Sequence, residues 1–226
     1  LADIATALED PARLVGIHFF NPVPQLQLVE VVSSSDTRPE MAKNAAAFGR
    51  QIDKLPLPVK DSPGFLVNRV LGPYMLNAFR LLDEGYKPET LDAAMESFGM
   101  PMGPAELADT VGLDICLAAG KALAKGVNEG TTQVPEVLAN KVALGHLGKK
   151  TGQGLYRYEN GKAVKGQPDA YDQNLVNALI EPYLDEAQTV LAEGIVEDAE
   201  LVDAGLIFGT GFAPFRGGPL HYLESR

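Results

Sequence analysis

Two residues near the start of the chain, His18 and Glu30, have the types and the spacing of an acid–base pair. His18 lies in the apolar run Val15–Phe20, and Glu30 lies in a second apolar run, Leu26–Val32. Each run has the length and composition of a short buried strand. The sequence Asn-Pro-Val-Pro at 21–24 predicts a rigid turn between them, because proline fixes its own φ and restricts the residue before it.

A turn at 21–24 would bring the imidazole of His18 and the carboxylate of Glu30 to one end of the strand pair. A carboxylate that binds one imidazole nitrogen fixes the tautomer, and the other nitrogen is then free to act as a general base. The spacing alone also fits a second interpretation, in which His18 is a hydrogen-bonded core histidine and Glu30 is a surface charge at a strand end.

The elements after this pair predict the end of an α/β domain. Arg38–Ile52 has the apolar spacing of a helix, and Leu55–Val59 has the length of a strand. Pro56 and Pro58 lack the N–H that a central strand needs, so an edge position is predicted for this strand. The first 60 residues therefore read as strand, turn, strand, helix and strand.

From Ser62 onward the pattern is helical, and a polar segment follows at 159–168. The predicted helices, each with apolar residues at helical spacing, are Phe65–Glu84, Pro88–Phe98, Pro104–Ala119 and Thr131–Leu144. The segment 159–168 is rich in polar residues and glycine, which predicts a linker.

The chain after this linker repeats short motifs of the helical part. The pairs Pro73-Tyr74, Glu84-Gly85, Phe98-Gly99 and Gly103-Pro104 recur as Pro182-Tyr183, Glu193-Gly194, Phe208-Gly209 and Gly218-Pro219. The order is kept and the offset is nearly constant, at 109, 109, 110 and 115 residues. This regularity predicts a duplicated helical unit whose second copy buries apolar faces of the first.

Composition limits the classes of partner. A net charge of −11 argues against nucleic acid, and no run reaches the roughly 20 apolar residues of a membrane span. The single cysteine, Cys116, lies in an apolar run, which fits a buried thiol in a reducing, cytoplasmic environment. His146 and His221 have no carboxylate or cysteine at ligand spacing, so no metal site is expected.

Three motifs resemble those of L-3-hydroxyacyl-CoA dehydrogenases, in that family's order. HFFNPVP at 18–24, with the apolar run that contains Glu30, is similar to the end of the family's nucleotide-binding domain. DSPGFLVNR at 61–69 is similar to the start of its helical domain, and KKTGQGLY at 149–156 to the segment that closes it. The resemblance is closest to the alpha chains of multifunctional fatty-acid oxidation complexes.

The resemblance implies NAD-dependent oxidation of the 3-hydroxyl group of an acyl-CoA, a step of β-oxidation. His18 matches the family's general base, Glu30 the carboxylate that orients it, and Asn68 its substrate-contacting asparagine. Asn21 and Lys150 match positions that contact the cofactor, NAD. They also fit a turn asparagine and a solvated loop lysine, and Asn68 also fits a helix-surface amide.

Phe208 occupies a position where relatives carry a tyrosine that lines the acyl site. Phenylalanine lacks the hydroxyl group, so the resemblance implies only a packing role for Phe208. The glycine-rich turn G-x-G-x-x-G that binds the pyrophosphate is absent from the 226 residues. We therefore expect a fragment that begins within an element, lacks the NAD-binding half and is inactive by itself.

The expected fold is mainly α: the tail of a Rossmann-type α/β domain followed by two tandem helical repeats. The predicted boundaries are 1–60 for the α/β remnant, 61–158 for the first helical domain, 159–169 for a linker and 170–226 for the second repeat. The resemblance also implies upstream NAD-binding and enoyl-CoA hydratase domains and a thiolase partner. Two alternatives are a non-catalytic helical dimerisation or docking module, and an enzyme for a different 3-hydroxy acid.

Overall fold

The computed structural model describes residues 1–127 and 134–226, and this part of the chain forms two compact units. The first unit comprises Leu1–Arg69 and Glu186–Arg226, and the second comprises Val70–Asp185. These units are defined by backbone proximity, whereas the predicted domain boundaries follow sequence motifs. The four predicted boundaries therefore stay a prediction.

The described elements are short strands in two small sheets and helices of four to twenty residues. The strands are β1 (Gly16–Phe19), β2 (Leu28–Ser33), β3 (Leu55–Lys60), β4 (Arg157–Glu159) and β5 (Lys162–Val164). The helices are α1 (Ala2–Ala5), α2 (Pro39–Gln51), α3 (Val67–Asp83), α4 (Pro88–Phe98), α5 (Pro104–Val111), α6 (Leu113–Val127), α7 (Glu136–Ala143), α8 (Gln173–Ala192), α9 (Ala199–Thr210) and α10 (Pro219–Glu224).

The first unit contains a three-stranded sheet in the order β1-β2-β3. β1 pairs antiparallel with β2, and β2 pairs parallel with β3. The β2 strand is buried over five of its six residues, as its continuous apolar sequence predicts. The strand, turn, strand, helix and strand order predicted for residues 1–60 is therefore present.

β3 lies at one end of this sheet, as its prolines predict. The N–H of Leu55 donates to the carbonyl oxygen of Gln27 at 2.8 Å, so Leu55 and every second residue after it face β2. Pro56 and Pro58 occupy the alternate positions, which face away from β2. Their missing N–H groups therefore remove no hydrogen bond from the sheet.

Helix α9 packs against the sheet of the first unit through two glycines one turn apart. A Cβ at Gly205 would lie 2.6 Å from Leu57 and 2.7 Å from Leu66, and a Cβ at Gly209 would lie 2.6 Å from Val67. Such distances are too short for any larger residue without movement of the neighbours. The two glycines therefore allow the backbone of α9 to approach the sheet closely.

The second unit has its core between α3, α5, α6 and α7. Phe79, Ala108, Leu113 and Leu138 form a buried cluster. Asp92 of α4 accepts hydrogen bonds from the N–H groups of Ala105 and Glu106, at 2.8 and 3.2 Å, and thereby caps α5.

An equivalent cap occurs in the first unit. Asp203 of α9 accepts hydrogen bonds from the N–H groups of Leu220 and His221, at 2.7 and 3.1 Å, at the start of α10. In each unit a Gly-Pro pair begins the capped helix, with the glycine at the N-cap and the proline as the first helical residue, and a Cβ on either glycine would lie within 2.3 Å of the aspartate. The two Gly-Pro pairs noted in the sequence thus begin helices that are capped in the same way.

Several predicted elements differ from the observed ones. The helix predicted over Pro104–Ala119 is two helices, because Gly112 between them has φ +108. The prediction at Thr131–Leu144 begins in 131–133, which lie outside the described residues, and α7 starts at Glu136. The stretch predicted as a linker, 159–169, contains β5, which pairs with β4 in a hairpin.

Within residues 1–127 and 134–226, no helix combines the length and the apolar character that crossing a lipid bilayer takes.

Candidate active site

The antiparallel pairing of β1 and β2 places His18 directly opposite Glu30. The Nδ1 atom of His18 lies 2.6 Å from Oε2 of Glu30. The side chain of Glu30 is completely buried, whereas 30% of the His18 side chain is exposed. The structure thus brings together the two residues that the sequence singled out, and it leaves the histidine open to a ligand.

The second oxygen of Glu30 holds the start of helix α3. Oε1 accepts hydrogen bonds from the backbone N–H groups of Leu66 and Val67, each at 3.0 Å. A buried carboxylate is costly unless hydrogen bonds replace its hydration, and the positive end of a helix dipole favours a negative charge. These contacts compensate the burial of Glu30 and fix the direction of its carboxylate.

The residue before these two donors contributes a ring contact to His18. Phe65 has φ +53, a left-handed conformation that is uncommon for a bulky residue, and it follows Gly64 at φ +81. Its ring lies 5.5 Å from the His18 ring, and Phe20 packs edge-on against the same imidazole at 4.7 Å. The imidazole is therefore held by one hydrogen bond and two aromatic contacts.

This arrangement defines the protonation chemistry of the imidazole. Glu30 accepts the proton of Nδ1, so the neutral form of His18 has its lone pair on Nε2. That nitrogen can take a proton from a ligand, and the carboxylate then stabilises the imidazolium. The pair is thus arranged as a general base with an orienting carboxylate.

The other predicted residues of the first unit lie on its surface. Asn68 is the second residue of α3, directly after Val67, and its side chain is exposed. Asn21 is exposed in the turn that follows β1. Phe208 of α9 is 48% exposed next to Gly209, which packs on the sheet. These three side chains are accessible to a ligand.

Lys150 belongs to the second unit, where its Nζ lies 2.5 Å from Oδ1 of Asp114. This hydrogen bond lowers the pKa of Asp114. The neighbouring glycines have a packing role, because a Cβ at Gly148 would lie 2.3 Å from the Asp109 carbonyl oxygen and a Cβ at Gly154 would lie 2.1 Å from its carboxylate. Asp109 also accepts hydrogen bonds from the N–H groups of the residues after Gly154.

One carboxylate cluster in the described part of the chain has the spacing of a metal site. Oxygens of Asp92, Glu96 and Glu106 lie within 4.8 Å of one another. The Nζ of Lys165 contacts all three, at 3.4, 3.1 and 2.8 Å respectively. Burial lowers the pKa of Lys165, but the hydrogen bonds to Glu106 and Glu96 outweigh it and raise this pKa. An ammonium group therefore supplies the positive charge in this cluster.

The sequence pattern did not reveal the residues that support the pair. The helix predicted over Phe65–Glu84 includes Phe65, Leu66 and Val67 as ordinary helical residues, whereas the structure gives all three direct contacts to His18 or Glu30. The dipeptide Gly64-Phe65 before an apolar helix was the available signal, since a glycine there marks a backbone that departs from helical φ.

Fold and site together define an α/β unit with a carboxylate-oriented histidine, joined to helical segments. Two family models match this chain. The NAD binding domain of 3-hydroxyacyl-CoA dehydrogenase matches residues 1–62, and the C-terminal domain of 3-hydroxyacyl-CoA dehydrogenase matches residues 64–158. The chain belongs to the 3-hydroxyacyl-CoA dehydrogenase family.

Individual relatives agree with this family. The chain is 39% identical to a fatty acid oxidation complex subunit alpha of Pseudomonas aeruginosa, over 98% of the chain and 34% of that protein. It resembles a (S)-3-hydroxybutyryl-CoA dehydrogenase structure from Ralstonia eutropha at 38% identity and a TM-score of 0.66, covering 70% of the chain and 56% of that structure.

A 3-hydroxybutyryl-CoA dehydrogenase structure from Escherichia coli has a TM-score of 0.83 at 24% identity, covers 98% of the chain and 65% of that structure, and supports the fold. The chain spans about a third of the length of the curated relatives it matches.

The comparisons correct one expectation. The missing glycine-rich turn had predicted that the NAD-binding half is absent. The match of the NAD-binding domain model to residues 1–62 contradicts that inference. The glycine motif marks one turn of such a domain, so its absence did not justify excluding the rest.

Proposed function

We propose that the chain carries the proton-transfer site of an NAD-dependent dehydrogenase that converts (S)-3-hydroxyacyl-CoA to 3-oxoacyl-CoA in fatty-acid oxidation. NAD+ supplies the hydride acceptor when it is bound, and the hydrogen on C3 of the substrate leaves as hydride. Nε2 of His18 takes the proton of the 3-hydroxyl group, and the C3–O bond becomes a carbonyl. The contact of 2.6 Å between His18 and a completely buried Glu30 is the observation that carries the proposal.

Glu30 has two functions in this proposal. Its Oε2 fixes the tautomer of His18 and stabilises the imidazolium that forms as the proton arrives. Its Oε1, bound to Leu66 and Val67, keeps the carboxylate from turning towards another partner. The same glutamate therefore orients the base and ties it to helix α3.

Two exposed residues are proposed to contact the substrate. The Asn68 amide can donate a hydrogen bond to the thioester carbonyl or to the 3-oxygen without adding charge. It directly follows Val67 in α3, so Glu30 and Asn68 are positioned by the same helical turn. Phe208 offers an exposed apolar ring, which suits an acyl chain.

The cofactor contacts proposed for this chain are polar and accessible. Asn21 lies three residues after His18 in an exposed turn, and its amide fits the carboxamide of a nicotinamide. Lys150 carries an exposed ammonium group that fits an anionic part of the cofactor once its bond to Asp114 is exchanged. These donor types fit the polar and anionic groups of NAD.

The larger assembly is proposed from the relatives and from the repeated motifs. The curated relatives are alpha subunits of fatty acid oxidation complexes, which supports a fused enoyl-CoA hydratase segment, a thiolase partner and a cytoplasmic location. The matching caps by Asp92 and Asp203 support two tandem helical repeats. In this proposal the second repeat stabilises the first.

The proposal is tested by measuring NADH formation with the full-length protein and (S)-3-hydroxybutyryl-CoA. The free 3-hydroxy acid, without CoA, is the control substrate. His221→Gln, which replaces a histidine outside the proposed site, is the control variant for His18. We expect turnover of the thioester, little turnover of the free acid and normal activity of His221→Gln.

Preferential turnover of a free 3-hydroxy acid would instead support an enzyme of a different substrate class. Absence of any NADH formation, with the protein folded, would support a docking module without catalysis.

A further inference from the structure

The buried side chain of Arg69 forms a hydrogen-bond network next to the residues that hold Glu30. This side chain is 6% exposed. Nε donates to Glu186 at 2.7 Å, Nη1 donates to Ser62 at 2.9 Å, and Nη1 and Nη2 donate to the two oxygens of Glu193 at 2.7 and 2.9 Å. The bond pattern to Glu193 is bidentate, the strongest geometry for this pair of groups.

The hydrogen bond between Arg69 and Ser62 links the two ends of the segment that contacts His18 and Glu30. Ser62 and Arg69 are bonded to each other through their side chains, and the residues between them include Phe65, Leu66 and Val67. The backbone N–H groups of Phe65 and Arg69 donate to the carbonyl oxygens of Ser62 and Gly64, at 2.9 and 3.1 Å. The segment from Ser62 to Arg69, a loop that runs into the first turn of α3, is therefore closed at both ends around the Glu30 donors.

This segment contains a residue, Phe65, whose backbone conformation is unfavourable without supporting contacts. Phe65 adopts φ +53, a left-handed conformation that is unfavourable for a residue with a Cβ and persists only where the surroundings fix it. Released from that conformation, Phe65 would withdraw its ring from His18, and the N–H groups of Leu66 and Val67 would turn away from Glu30. The geometry of the pair thus depends on what fixes the loop.

We infer that Arg69 is a positioning residue for the His18–Glu30 pair, and that it is anchored by Glu186 of α8 and by Glu193, the residue directly after α8. This inference rests on the proposed function of the pair and adds that residues more than 150 positions later in the chain help to orient His18. The guanidinium of Arg69 connects this segment to Glu186 of α8. The segment in turn contacts Glu30 through the N–H groups of Leu66 and Val67, and His18 through the ring of Phe65.

Lysine cannot replace Arg69 in this function. An ammonium group has no planar fork, so it cannot bind both oxygens of Glu193 together with Glu186 and Ser62. A lysine would keep the positive charge but lose the hydrogen bonds that hold the segment 62–69. Arg69→Lys therefore tests the hydrogen-bond geometry without a change of charge.

The test compares Arg69→Lys, Arg69→Met and Glu193→Gln in the full-length protein, with Arg157→Lys as control, because Arg157 also pairs with a glutamate but on an exposed strand. Two readouts are used: kcat and KM for the CoA thioester, and the 15N spectrum of the His18 imidazole. Glu193 is 48% exposed, so Glu193→Gln is expected to fold normally. It therefore keeps the test decisive even if replacement of the buried Arg69 prevents folding.

We expect Arg69→Lys and Arg69→Met to lower kcat roughly 100-fold, with KM changed less than about threefold. Glu193→Gln should lower kcat roughly tenfold, as expected for the loss of one supporting contact. In each variant the imidazole should change from one tautomer, protonated on Nδ1, to a mixture of two. Arg157→Lys should leave both readouts unchanged.

The inference is overturned if folded Glu193→Gln and Arg69→Lys keep the wild-type kcat and a single His18 tautomer. If the proposed function is wrong, the wild-type protein has no dehydrogenase activity, but the 15N spectrum still shows which tautomer of His18 is present. In that case a change of tautomer in Arg69→Lys supports the positioning role of Arg69, and an unchanged tautomer contradicts it.

Discussion

Glu30 lies opposite His18 in the β1–β2 ladder and binds Nδ1 of that histidine through one oxygen, while its other oxygen holds two N–H groups of α3. One side chain thus connects a strand pair, the start of a helix and the proposed base. The same device, a carboxylate that accepts from two consecutive N–H groups, recurs at Asp92, Asp109 and Asp203. Of these four carboxylates, Glu30 alone also binds a histidine imidazole in the described structure.

Replacement of Glu30 by glutamine should impair catalysis far more than folding. The amide oxygen can still accept from Leu66 and Val67, but the NH2 group then faces Nδ1 of His18 and selects the wrong tautomer. We expect kcat to fall by about 10²- to 10⁴-fold, measured as NADH formation by the full-length protein. Asp203→Asn weakens a comparable cap whose donors are the backbone N–H groups of Leu220 and His221, with no imidazole bound to the carboxylate, and kcat should stay within about twofold. Equal losses in both variants would assign Glu30 a structural role only.

The close approach of Gly103 to Asp92 predicts opposite effects for two glycine-to-alanine changes. A Cβ at Gly103 would lie 2.1 Å from the Cα of Asp92, so Gly103→Ala should lower the free energy of unfolding by at least about 2 kcal/mol. Gly120 lies inside α6 with nothing within 4 Å of a Cβ, so Gly120→Ala should raise it by about 0.5–1 kcal/mol. Urea unfolding measures both values. A stabilising Gly103→Ala would contradict the described packing of α4 on α5.

The Arg69–Glu193 pair predicts how stability depends on pH. The hydrogen bond from Arg69 lowers the pKa of Glu193 in the folded state below its ordinary value of 4.5. The pair therefore stabilises the fold at pH above 4.5, and this contribution is lost as the pH falls below 4.5 and through the lowered folded pKa.

The melting temperature of Glu193→Gln should accordingly lie below that of the wild type at pH 7 and approach it at pH 3. Glu159→Gln, which removes an exposed partner of Arg157, should show little difference at either pH. A constant difference across this pH range would exclude ionisation of Glu193 as the cause.

The thiol of Cys116 should be unreactive in the folded protein. Burial raises its pKa from 9.0 to about 12, so its thiolate fraction at pH 8 is roughly a thousandfold lower than that of an ordinary cysteine. Reaction with a disulfide reagent should be slow in buffer and fast in 8 M urea, where the ordinary pKa returns. Rapid modification without urea would show that the thiol is accessible and that its pKa is not raised.

The sequence predicted the β1–β2 hairpin and the meeting of His18 with Glu30 because strand periodicity and proline turns are local properties. It also predicted β3 as an edge strand from Pro56 and Pro58. It missed the break at Gly112, because a glycine within an apolar periodic run fits a continuous helix equally well.

The supporting residues of the site could not be predicted in the same way. The hydrogen-bond network of Arg69 depends on Glu186 and Glu193, which lie more than 100 residues later in the chain, and a residue-by-residue pattern carries no information about such partners. The packing of Gly205 and Gly209 on the sheet has the same origin.

The most direct test of the central claim is single-turnover hydride transfer by the full-length protein with His18→Gln, at saturating NAD+ and 3-hydroxyacyl-CoA. If His18 is the proton acceptor, the rate of NADH formation should fall by about 10²- to 10⁴-fold, with the dissociation constants of NAD+ and substrate nearly unchanged. A rate within about threefold of the wild type, in a variant that binds both ligands, would contradict the assignment of His18 as the base.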